Sequence, residues 1–151
     1  MDILKLALAF TLKWEGGKVD DPQDPGGRTA YGVTQKTYNE YLKSKGLGTK
    51  DVWNISEEEK YEIYSKGYWV AAGCDKLEDP RLAISVFDFA VNGGVSRSLK
   101  YLALSPNGYK QFNQNRIGYY NKLVEKNPKL SKYIKGWTNR VNALTEYINK
   151  I

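Results

Sequence analysis

The sequence contains no histidine, which excludes several common kinds of catalytic site. Ser-His-Asp and Cys-His nucleophile systems, and zinc sites with histidine ligands, all need an imidazole side chain. Zinc-dependent amidases and peptidases are therefore not expected. The chemistry has to come from carboxylates, hydroxyls and amides, and we expect neither a metal nor a cofactor.

Cysteine is almost absent as well. The single cysteine, Cys74, can form neither an internal disulfide nor a cysteine-rich metal site, so cysteine usage does not indicate a redox compartment. We expect Cys74 to be an inert, partly buried thiol.

Long apolar runs are also missing. The most apolar stretch, residues 3–12, is too short to span a bilayer. It is preceded by Asp2, interrupted by Lys5 and followed by no Ala-x-Ala-like site, so it does not match a signal peptide. The stretch instead predicts a buried amphipathic helix that ends at Gly16-Gly17. The inward stripe of this helix is predicted to consist of Ile3, Ala7, Phe10 and Trp14.

The chain has 151 residues, of which 41% are hydrophobic and 26% are charged, which is typical of a soluble globular protein. We therefore expect a single domain over residues 1–151. The net charge of +6 implies attraction to polyanions such as nucleic acid, anionic lipid or a bacterial envelope, and does not choose among them. No block of five or more like charges occurs. We interpret the charge as a general attraction to polyanions and expect no specific nucleic-acid partner.

Capping residues and apolar periodicity predict a mainly α protein. Ser56 and Glu59 form a capping box that opens one helix, and Asp79-Pro80 opens a buried central helix that Gly93-Gly94 ends. Residues 18–34 are rich in Asp, Pro and Gly and predict an irregular loop or a small β-hairpin. The predicted helices after the first are Thr34 to Lys45, Ser56 to Val70, Leu82 to Val91, Ser98 to Leu104, Tyr109 to Val124, and a last helix with Trp137, Val141, Leu144 and Ile148 facing the core.

Glu15 lies between the first helix and the Gly-Gly break, which gives its carboxylate an unusual environment. The unpaired carbonyls at a helix C-terminus make the local potential negative, and the adjacent Trp14 limits solvation. Both effects favour the protonated carboxyl group that a general acid needs. A lone glutamate at a helix end is nevertheless more often structural or solvated, so the position alone does not decide its role.

A second carboxylate, Asp24, follows nine residues later in the Pro- and Gly-rich loop. Such a loop can fold back towards the helix end, so that two carboxylates face one cleft. Glycoside hydrolysis needs this pairing: a protonated group for the leaving oxygen, and an ionised group for the water or the developing cation. Thr29 offers a hydroxyl that can help to hold the water. Aspartates in Pro-Gly loops are ordinarily turn residues, so the spacing only suggests a two-carboxylate site.

Three ordered blocks of motifs extend over most of the chain. The first contains Glu15-Gly16-Gly17, Asp21-Pro22, Asp24-Pro25-Gly26-Gly27, Thr29 and Tyr31-Gly32-Val33-Thr34. The second is residues 87–94, and the third contains residues 116–120, Asn127-Pro128 and residues 136–141. In this order the blocks resemble glycoside hydrolase family 108, a family of lysozyme-like N-acetylmuramidases found in phages and prophages. Residues 1–78 then hold the catalytic motifs, and residues 79–151 form a helical half that resembles the family's peptidoglycan-binding region.

The resemblance implies that Glu15, the glutamate of the Glu-Gly-Gly motif, is the catalytic acid. The more distant phage-type lysozymes also have an aspartate nine residues after this glutamate, which matches Asp24. Their catalytic threonine falls fifteen residues after the glutamate, where this chain has Ala30. Thr29 is one position early and is therefore only a candidate for the third catalytic role.

Further residues are candidates for substrate binding. Tyr31 lies next to the carboxylate loop and Trp69 follows the Ser56 helix, and aromatic rings can stack on sugars as well as on each other. Asp88 and Asn92 are four residues apart and share a helix face, which is either a polar strip lining the cleft or a buried pair that fixes the helix. We predict Tyr31, Trp69 and Asn92 as substrate-binding residues.

These observations predict a mainly α, lysozyme-like domain with one small β-hairpin. The resemblance implies an endolysin-type muramidase that cleaves the β-1,4 bond between N-acetylmuramic acid and N-acetylglucosamine. The alternatives are a module that binds the cell wall without cutting it, and a basic nucleic-acid binder that rests on charge alone. The expected partners are peptidoglycan glycan strands and, by charge, the anionic envelope; we expect a monomer without a membrane span. The resemblance also implies synthesis in the host cytoplasm and holin-type release to the wall.

Overall fold

The computed structural model describes residues 2–20 and 27–151. The α-helices are α1 (Ile3–Glu15), α2 (Gln35–Ser44), α3 (Glu57–Tyr64), α4 (Pro80–Gly93), α5 (Val95–Ala103), α6 (Tyr109–Lys126) and α7 (Ser131–Asn149). The strands are β1 (Lys18–Val19), β2 (Thr29–Ala30) and β3 (Val33–Thr34). A π-helical segment, Ser65–Val70, continues α3, and short 3-10 helices span Val52–Asn54, Cys74–Lys76 and Pro128–Leu130. The predicted mainly α class with a small β element is confirmed.

The first helix forms where the apolar periodicity predicts it, but its inward stripe is displaced. The buried residues are Leu4, Ala7, Phe10 and Thr11. Ile3 is only half-buried and Trp14 is 41% exposed, so the predicted stripe was wrong at both ends. The helix packs against α4, and Thr11 faces it because its hydroxyl donates a hydrogen bond to a buried carboxylate there, at 2.7 Å.

The predicted hairpin is part of a slightly larger sheet. The three strands are antiparallel in the order β1, β2, β3. Val19 pairs with Thr29, and Ala30 pairs with Val33. The sheet has one strand more than predicted because β1, directly after α1, also pairs with β2. It is therefore held beside the end of α1, where Glu15 lies.

The predicted central helix, α4, is the core of the molecule. It begins with Pro80 after Asp79, whose side chain accepts a hydrogen bond from the Arg81 amide at 2.9 Å. Residues 83–90 are all buried, and α1, α5, α6 and α7 pack around the helix. A helix that is covered on all sides needs no polar face, which explains its nearly continuous apolar sequence.

The helix that opens at Ser56 begins as predicted and changes its geometry halfway. The Ser56 hydroxyl accepts a hydrogen bond from the Glu59 amide at 3.1 Å, and the Glu59 carboxylate accepts one from the Ser56 amide at 3.0 Å. The α-helical part ends at Tyr64, and Ser65–Val70 is π-helical. Capping residues and periodicity do not distinguish these two helix types, so the sequence predicted one continuous α-helix.

The last helix buries Val141, Leu144 and Ile148, as its periodicity predicts. Trp137 is only half-buried. Its ring stacks between those of Tyr120 and Tyr133, with centroid distances of 5.1 and 5.7 Å. The tryptophan therefore belongs to an aromatic column at the surface between α6 and α7 rather than to the deep core.

Cys74 is buried rather than partly buried. Burial raises the pKa of its thiol to about 12, so the thiol stays protonated and unreactive at neutral pH.

In residues 2–20 and 27–151, no helix combines the length and the apolar character that crossing a membrane requires.

We expect Ser56→Ala to lower the free energy of unfolding by about 1 kcal/mol, because the substitution removes the capping hydroxyl of α3. Urea unfolding followed by circular dichroism measures this change. Ser131→Ala is the matched control, since Ser131 also stands at a helix start but no side chain forms a capping hydrogen bond there. Equal losses in the two variants would contradict the role of the capping box.

Candidate active site

Glu15 is the last residue of α1, and the chain changes direction at Gly16, whose φ is 82°. The Gly16 amide donates a hydrogen bond to the carbonyl of Leu12 at 3.2 Å, which closes the helix. The Glu15 side chain is 21% exposed. The carboxylate therefore stands at a helix end and is partly open to solvent, in the position that the sequence predicts.

Arg140 from α7 holds the Glu15 carboxylate. Its Nη1 atom donates a hydrogen bond to Glu15 Oε2 at 3.3 Å, and the arginine side chain is only 6% exposed. The contact places a buried positive charge against the carboxyl group. Arg140 was not predicted as a site residue. Its only signal in the sequence is that it lies in the third block of the family resemblance.

Asp88 from α4 binds the other side of the same guanidinium. It accepts hydrogen bonds from Arg140 Nε and Nη2 at 3.1 and 2.9 Å, from Arg116 Nη1 at 2.8 Å and from the Thr11 hydroxyl at 2.7 Å. Asp88 has no exposed surface. Burial alone would raise the pKa of its carboxyl group, but the charges of Arg116 and Arg140 outweigh burial and lower it. Asp88 is therefore an ionised part of the framework behind Glu15.

Asn92 lies one turn further along α4, at the edge of this network. Its Oδ1 atom accepts hydrogen bonds from the Tyr120 hydroxyl at 2.7 Å and from Arg116 Nη2 at 3.3 Å. The side chain is thereby oriented by α6 and is half-buried. Its amide group donates no hydrogen bond to any described residue, so the predicted contact of Asn92 with substrate stays a prediction.

The turn between β2 and β3 lies directly against Glu15. Its two residues, Tyr31 and Gly32, both have positive φ values, 54° and 83°, as in a type I′ hairpin turn. A Cβ atom at Gly32 would lie 3.2 Å from Glu15 Cβ and 2.6 Å from the Tyr64 hydroxyl oxygen. Only glycine fits this close approach, which explains the Tyr-Gly pair in the sequence.

Tyr31 is held on both its backbone and its ring. The Tyr64 hydroxyl donates a hydrogen bond to the Tyr31 carbonyl at 2.6 Å. The Lys60 ammonium group lies 3.8 Å from the centroid of the Tyr31 ring, within the range of a cation–π interaction. These contacts stabilise a non-glycine residue in the left-handed region, where L-residues are disfavoured. Tyr31 thereby lies in the turn that approaches Glu15, and its predicted contact with substrate stays a prediction.

The two other predicted catalytic residues have different outcomes. Asp24 lies outside the described residues, so its predicted pairing with Glu15 stays a prediction. Thr29 is half-buried in β2, and its carbonyl accepts a hydrogen bond from Trp53 Nε1 at 3.1 Å. Ala30, at the position where the resemblance would place a threonine, is fully buried. The role of the Thr29 hydroxyl remains a prediction.

Trp69 lies in the core. It is 8% exposed, and its ring packs edge-on against Phe87 of α4 at a centroid distance of 5.7 Å. A ring in this position has little surface left for a sugar. The placement gives no support to the predicted role of Trp69 in substrate binding.

A groove of about 1220 Å³ runs between the outer face of α1 and the start of α3. One end lies at Gly16, Gly17 and Tyr31, next to Glu15. Apolar residues of α1 form part of its wall, and charged residues of both signs line the rest. The lining residues are Asp2, Lys5, Leu8, Ala9, Leu12, Lys13, Glu57, Glu58, Lys60, Tyr61 and Glu62.

Comparisons with known proteins identify a family and a similar fold. The family model described as glycosyl hydrolase 108 matches residues 8–94, which is more than half of the chain. A solved structure described as "Structure of Brucella abortus SagA" is similar in fold, with a TM-score of 0.72 and 23% sequence identity over 97% of this chain and 94% of that chain. A search of curated proteins gave no match. The family match contains Glu15, whereas Arg140, which holds it, lies beyond the matched residues.

We expect Asp88→Asn to lower the free energy of unfolding by about 3 to 5 kcal/mol, because it leaves the buried Arg116 guanidinium without a carboxylate partner and Arg140 with only its longer contact to Glu15. Since folding lowers the pKa of Asp88, its ionised form contributes stability above the ordinary carboxyl pKa, and this contribution is lost as the pH falls. The difference in free energy of unfolding between wild type and Asp88→Asn should therefore become smaller below about pH 4. Urea unfolding at several pH values measures both effects.

Glu125→Gln is the matched control for this experiment, because Glu125 is an exposed carboxylate on α6. It should change the free energy of unfolding by no more than about 0.5 kcal/mol. A difference between wild type and Asp88→Asn that stays constant from neutral to acidic pH would show that the loss does not come from the charge of Asp88.

Proposed function

Because this chain belongs to the glycosyl hydrolase 108 family, a family of peptidoglycan hydrolases, we propose that it cleaves the β-1,4 bond between N-acetylmuramic acid and N-acetylglucosamine, with Glu15 as general acid. One observation carries this proposal. The glutamate of the family-like motif stands at the end of α1, partly exposed and fixed from behind by Arg140. A general acid needs such a fixed carboxyl group that substrate can reach.

The hydrogen bonds of Glu15 leave one oxygen for catalysis. Arg140 binds Oε2, and Oε1 accepts no hydrogen bond from any residue in the ranges 2–20 and 27–151. In the proposed mechanism, Oε1 carries the proton and donates it to the glycosidic oxygen as the bond to the leaving sugar breaks. Arg140 keeps the carboxyl group oriented throughout and stabilises the carboxylate that this step produces.

The protonated state of Glu15 depends on a balance of local effects. The Arg140 guanidinium makes two hydrogen bonds to Asp88, at 2.9 and 3.1 Å, and a longer one to Glu15 at 3.3 Å. Arg140 therefore contacts Asp88, which it shares with Arg116, more closely than it contacts Glu15. A glycan bound over Glu15 excludes water, and this loss of solvation favours the neutral carboxyl group. We infer that substrate binding favours the protonated acid that the reaction needs.

The second catalytic group in this proposal is Asp24, supported by its place nine residues after Glu15 in the family-like motif. It would activate a water molecule or stabilise the oxocarbenium-like transition state. The Thr29 hydroxyl would help to hold that water. A carboxyl separation of about 6.5 to 9.5 Å gives inversion and one of about 5 to 5.5 Å gives retention. We infer inversion, by analogy with the phage-type enzymes.

Tyr31 and Asn92 are the proposed substrate contacts. Tyr31 lies at the end of the groove beside Glu15, where its ring can meet a sugar. The amide group of Asn92, oriented by Tyr120, can donate to a hydroxyl or N-acetyl oxygen of the glycan.

The proposed cellular role is wall lysis by a monomeric phage endolysin, made in the cytoplasm and released through a holin lesion. The net charge of +6 would favour contact with an anionic envelope.

We expect Glu15→Gln to abolish hydrolysis of purified peptidoglycan, because the amide cannot supply the proton. Thermal stability should change little, since the amide oxygen can still accept the hydrogen bond from Arg140. Turbidity clearing measures the activity, and mass spectrometry of the products should show reducing muramic acid ends rather than anhydro ends. Glu40→Gln, at an exposed glutamate of α2 away from the groove, is the matched control and should remain active. Retained lysis by Glu15→Gln would overturn the assignment.

A module that binds peptidoglycan without cutting it is the second candidate. The contact between Arg140 and Glu15 favours it, because a carboxyl group held by a buried arginine can have a purely structural role. Pull-down on insoluble peptidoglycan and release of reducing sugars, measured on the same wild-type sample, separate the two functions. Binding without release identifies the module, and release identifies the enzyme.

We expect Asp24→Asn to lower kcat by at least about 100-fold, because the amide can neither accept a proton from water nor stabilise a cation by its charge. Asp20→Asn is the matched control, since Asp20 precedes the same loop and is 53% exposed. Thr29→Ala should have a smaller effect than Asp24→Asn if its hydroxyl only orients the water. Equal kcat values for the Asp24 and Asp20 variants would remove Asp24 from the mechanism.

A further inference from the structure

Two tyrosines near Glu15 lie at the junction between α3 and its π-helical continuation. Tyr64 ends α3 and Tyr68 lies in the π-helical segment, and their ring centroids are 5.4 Å apart. Tyr64 reaches the site directly, because its hydroxyl and the Glu15 side chain both contact Gly32. Tyr68 packs against Tyr64 and is half-buried. The pair forms an aromatic wall next to the carboxylate.

The pKa values of both tyrosine hydroxyls are raised, in part by Glu15. Burial, and then the negative charge of Glu15, raise the pKa of Tyr64 and of Tyr68 above the ordinary tyrosine value. Both hydroxyls therefore remain protonated at neutral pH and are available as hydrogen-bond donors. This effect also shows that the two rings share the electrostatic environment of the candidate acid.

The two hydroxyls differ in what they bind. The Tyr64 hydroxyl donates to the Tyr31 carbonyl at 2.6 Å, so it is used within the protein. The Tyr68 hydroxyl donates to no residue in the described parts of the chain. A half-buried hydroxyl without an acceptor leaves a donor to be satisfied by water or by a ligand. Next to a candidate catalytic acid, such a donor is suited to a polar substrate.

The backbone around Tyr68 supports a functional role. π-helical segments are rare and are frequently found at functional sites. Here the change from α to π geometry falls between Tyr64 and Tyr68. The change in helix geometry therefore affects where the Tyr68 ring lies relative to the Tyr64 ring. The Tyr64 hydroxyl is itself fixed by its hydrogen bond to the Tyr31-Gly32 turn.

We propose that the Tyr68 hydroxyl is a substrate contact of the Glu15 site and donates a hydrogen bond to an oxygen of the sugar bound there. This inference rests on the proposed glycan-cleaving function. Tyr64 is a positioning residue in this arrangement, because it acts through the Tyr31-Gly32 turn. Tyr68 is the residue that touches the glycan.

The test compares Tyr68→Phe with wild type on soluble peptidoglycan glycan oligomers, by release of reducing ends. Removing one neutral donor to the substrate should lower kcat/KM by about tenfold. The change should appear as a higher KM with a nearly unchanged kcat, as for a contact made equally in the ground and transition states. The melting temperature should stay the same, because no hydrogen bond to a described residue is lost.

Two matched variants separate a substrate contact from a structural role. Tyr64→Phe removes the internal hydrogen bond to Tyr31 and should lower the melting temperature. Tyr101→Phe removes the hydroxyl of another half-buried tyrosine, on α5, that also donates no hydrogen bond to a described residue. It should change neither the melting temperature nor kcat/KM.

Each remaining outcome has a defined meaning. An unchanged kcat/KM in Tyr68→Phe, with wild type active and Glu15→Gln inactive, would overturn the role of Tyr68 and keep the proposed function. A melting temperature that falls as far as in Tyr64→Phe would show that the Tyr68 hydroxyl is structural. A wild-type protein that releases no reducing ends would overturn the proposed function, and the Tyr68 contact with it.

Discussion

The carboxylate of Asp88 lies fully buried between the guanidinium groups of Arg116 and Arg140, and this arrangement joins four helices. Asp88 comes from α4, the two arginines from α6 and α7, and the Thr11 hydroxyl that completes the set from α1. Charges without water are tolerated only when they are paired and hydrogen-bonded, so each helix has to bring its partner into register. The core is therefore fixed by a directional interaction as well as by apolar packing, and this sets where α7 meets the end of α1.

The same arrangement couples the core to the candidate acid. Arg140 uses two donors for Asp88 and a third for Glu15, so the orientation of the glutamate depends on a charge in the centre of the molecule. Asp88 is shared by Arg116 and Arg140, and Glu15 is the second carboxyl group in contact with this pair of arginines. Because the family match ends at residue 94, the part of the chain beyond it supplies the cation that holds the family's glutamate. The matched segment and the segment that follows it are thus chemically interdependent at this site.

Much of the fold followed from local signals in the sequence. The capping box at Ser56, the Asp79-Pro80 start and the glycine that ends α1 each act within one turn of the chain, and the helices begin and end where these residues predict. The errors have non-local causes. The stripe of α1 is displaced because Thr11 bonds to Asp88, seventy-seven residues away. The packing of Trp69 on Phe87 is likewise a contact that local signals do not reveal.

The sequence by itself determined the helical class, the position of Glu15 at a helix end and, through the ordered motif around it, the family. Only the tertiary structure decided which groups surround that carboxylate. Arg140 lies 125 residues away in the chain, and Tyr64 and Gly32 meet Glu15 from two further elements. Helix ends and turns depend on neighbours in sequence, whereas the state of an ionisable group depends on charges and solvent around it in space, and these are set by packing.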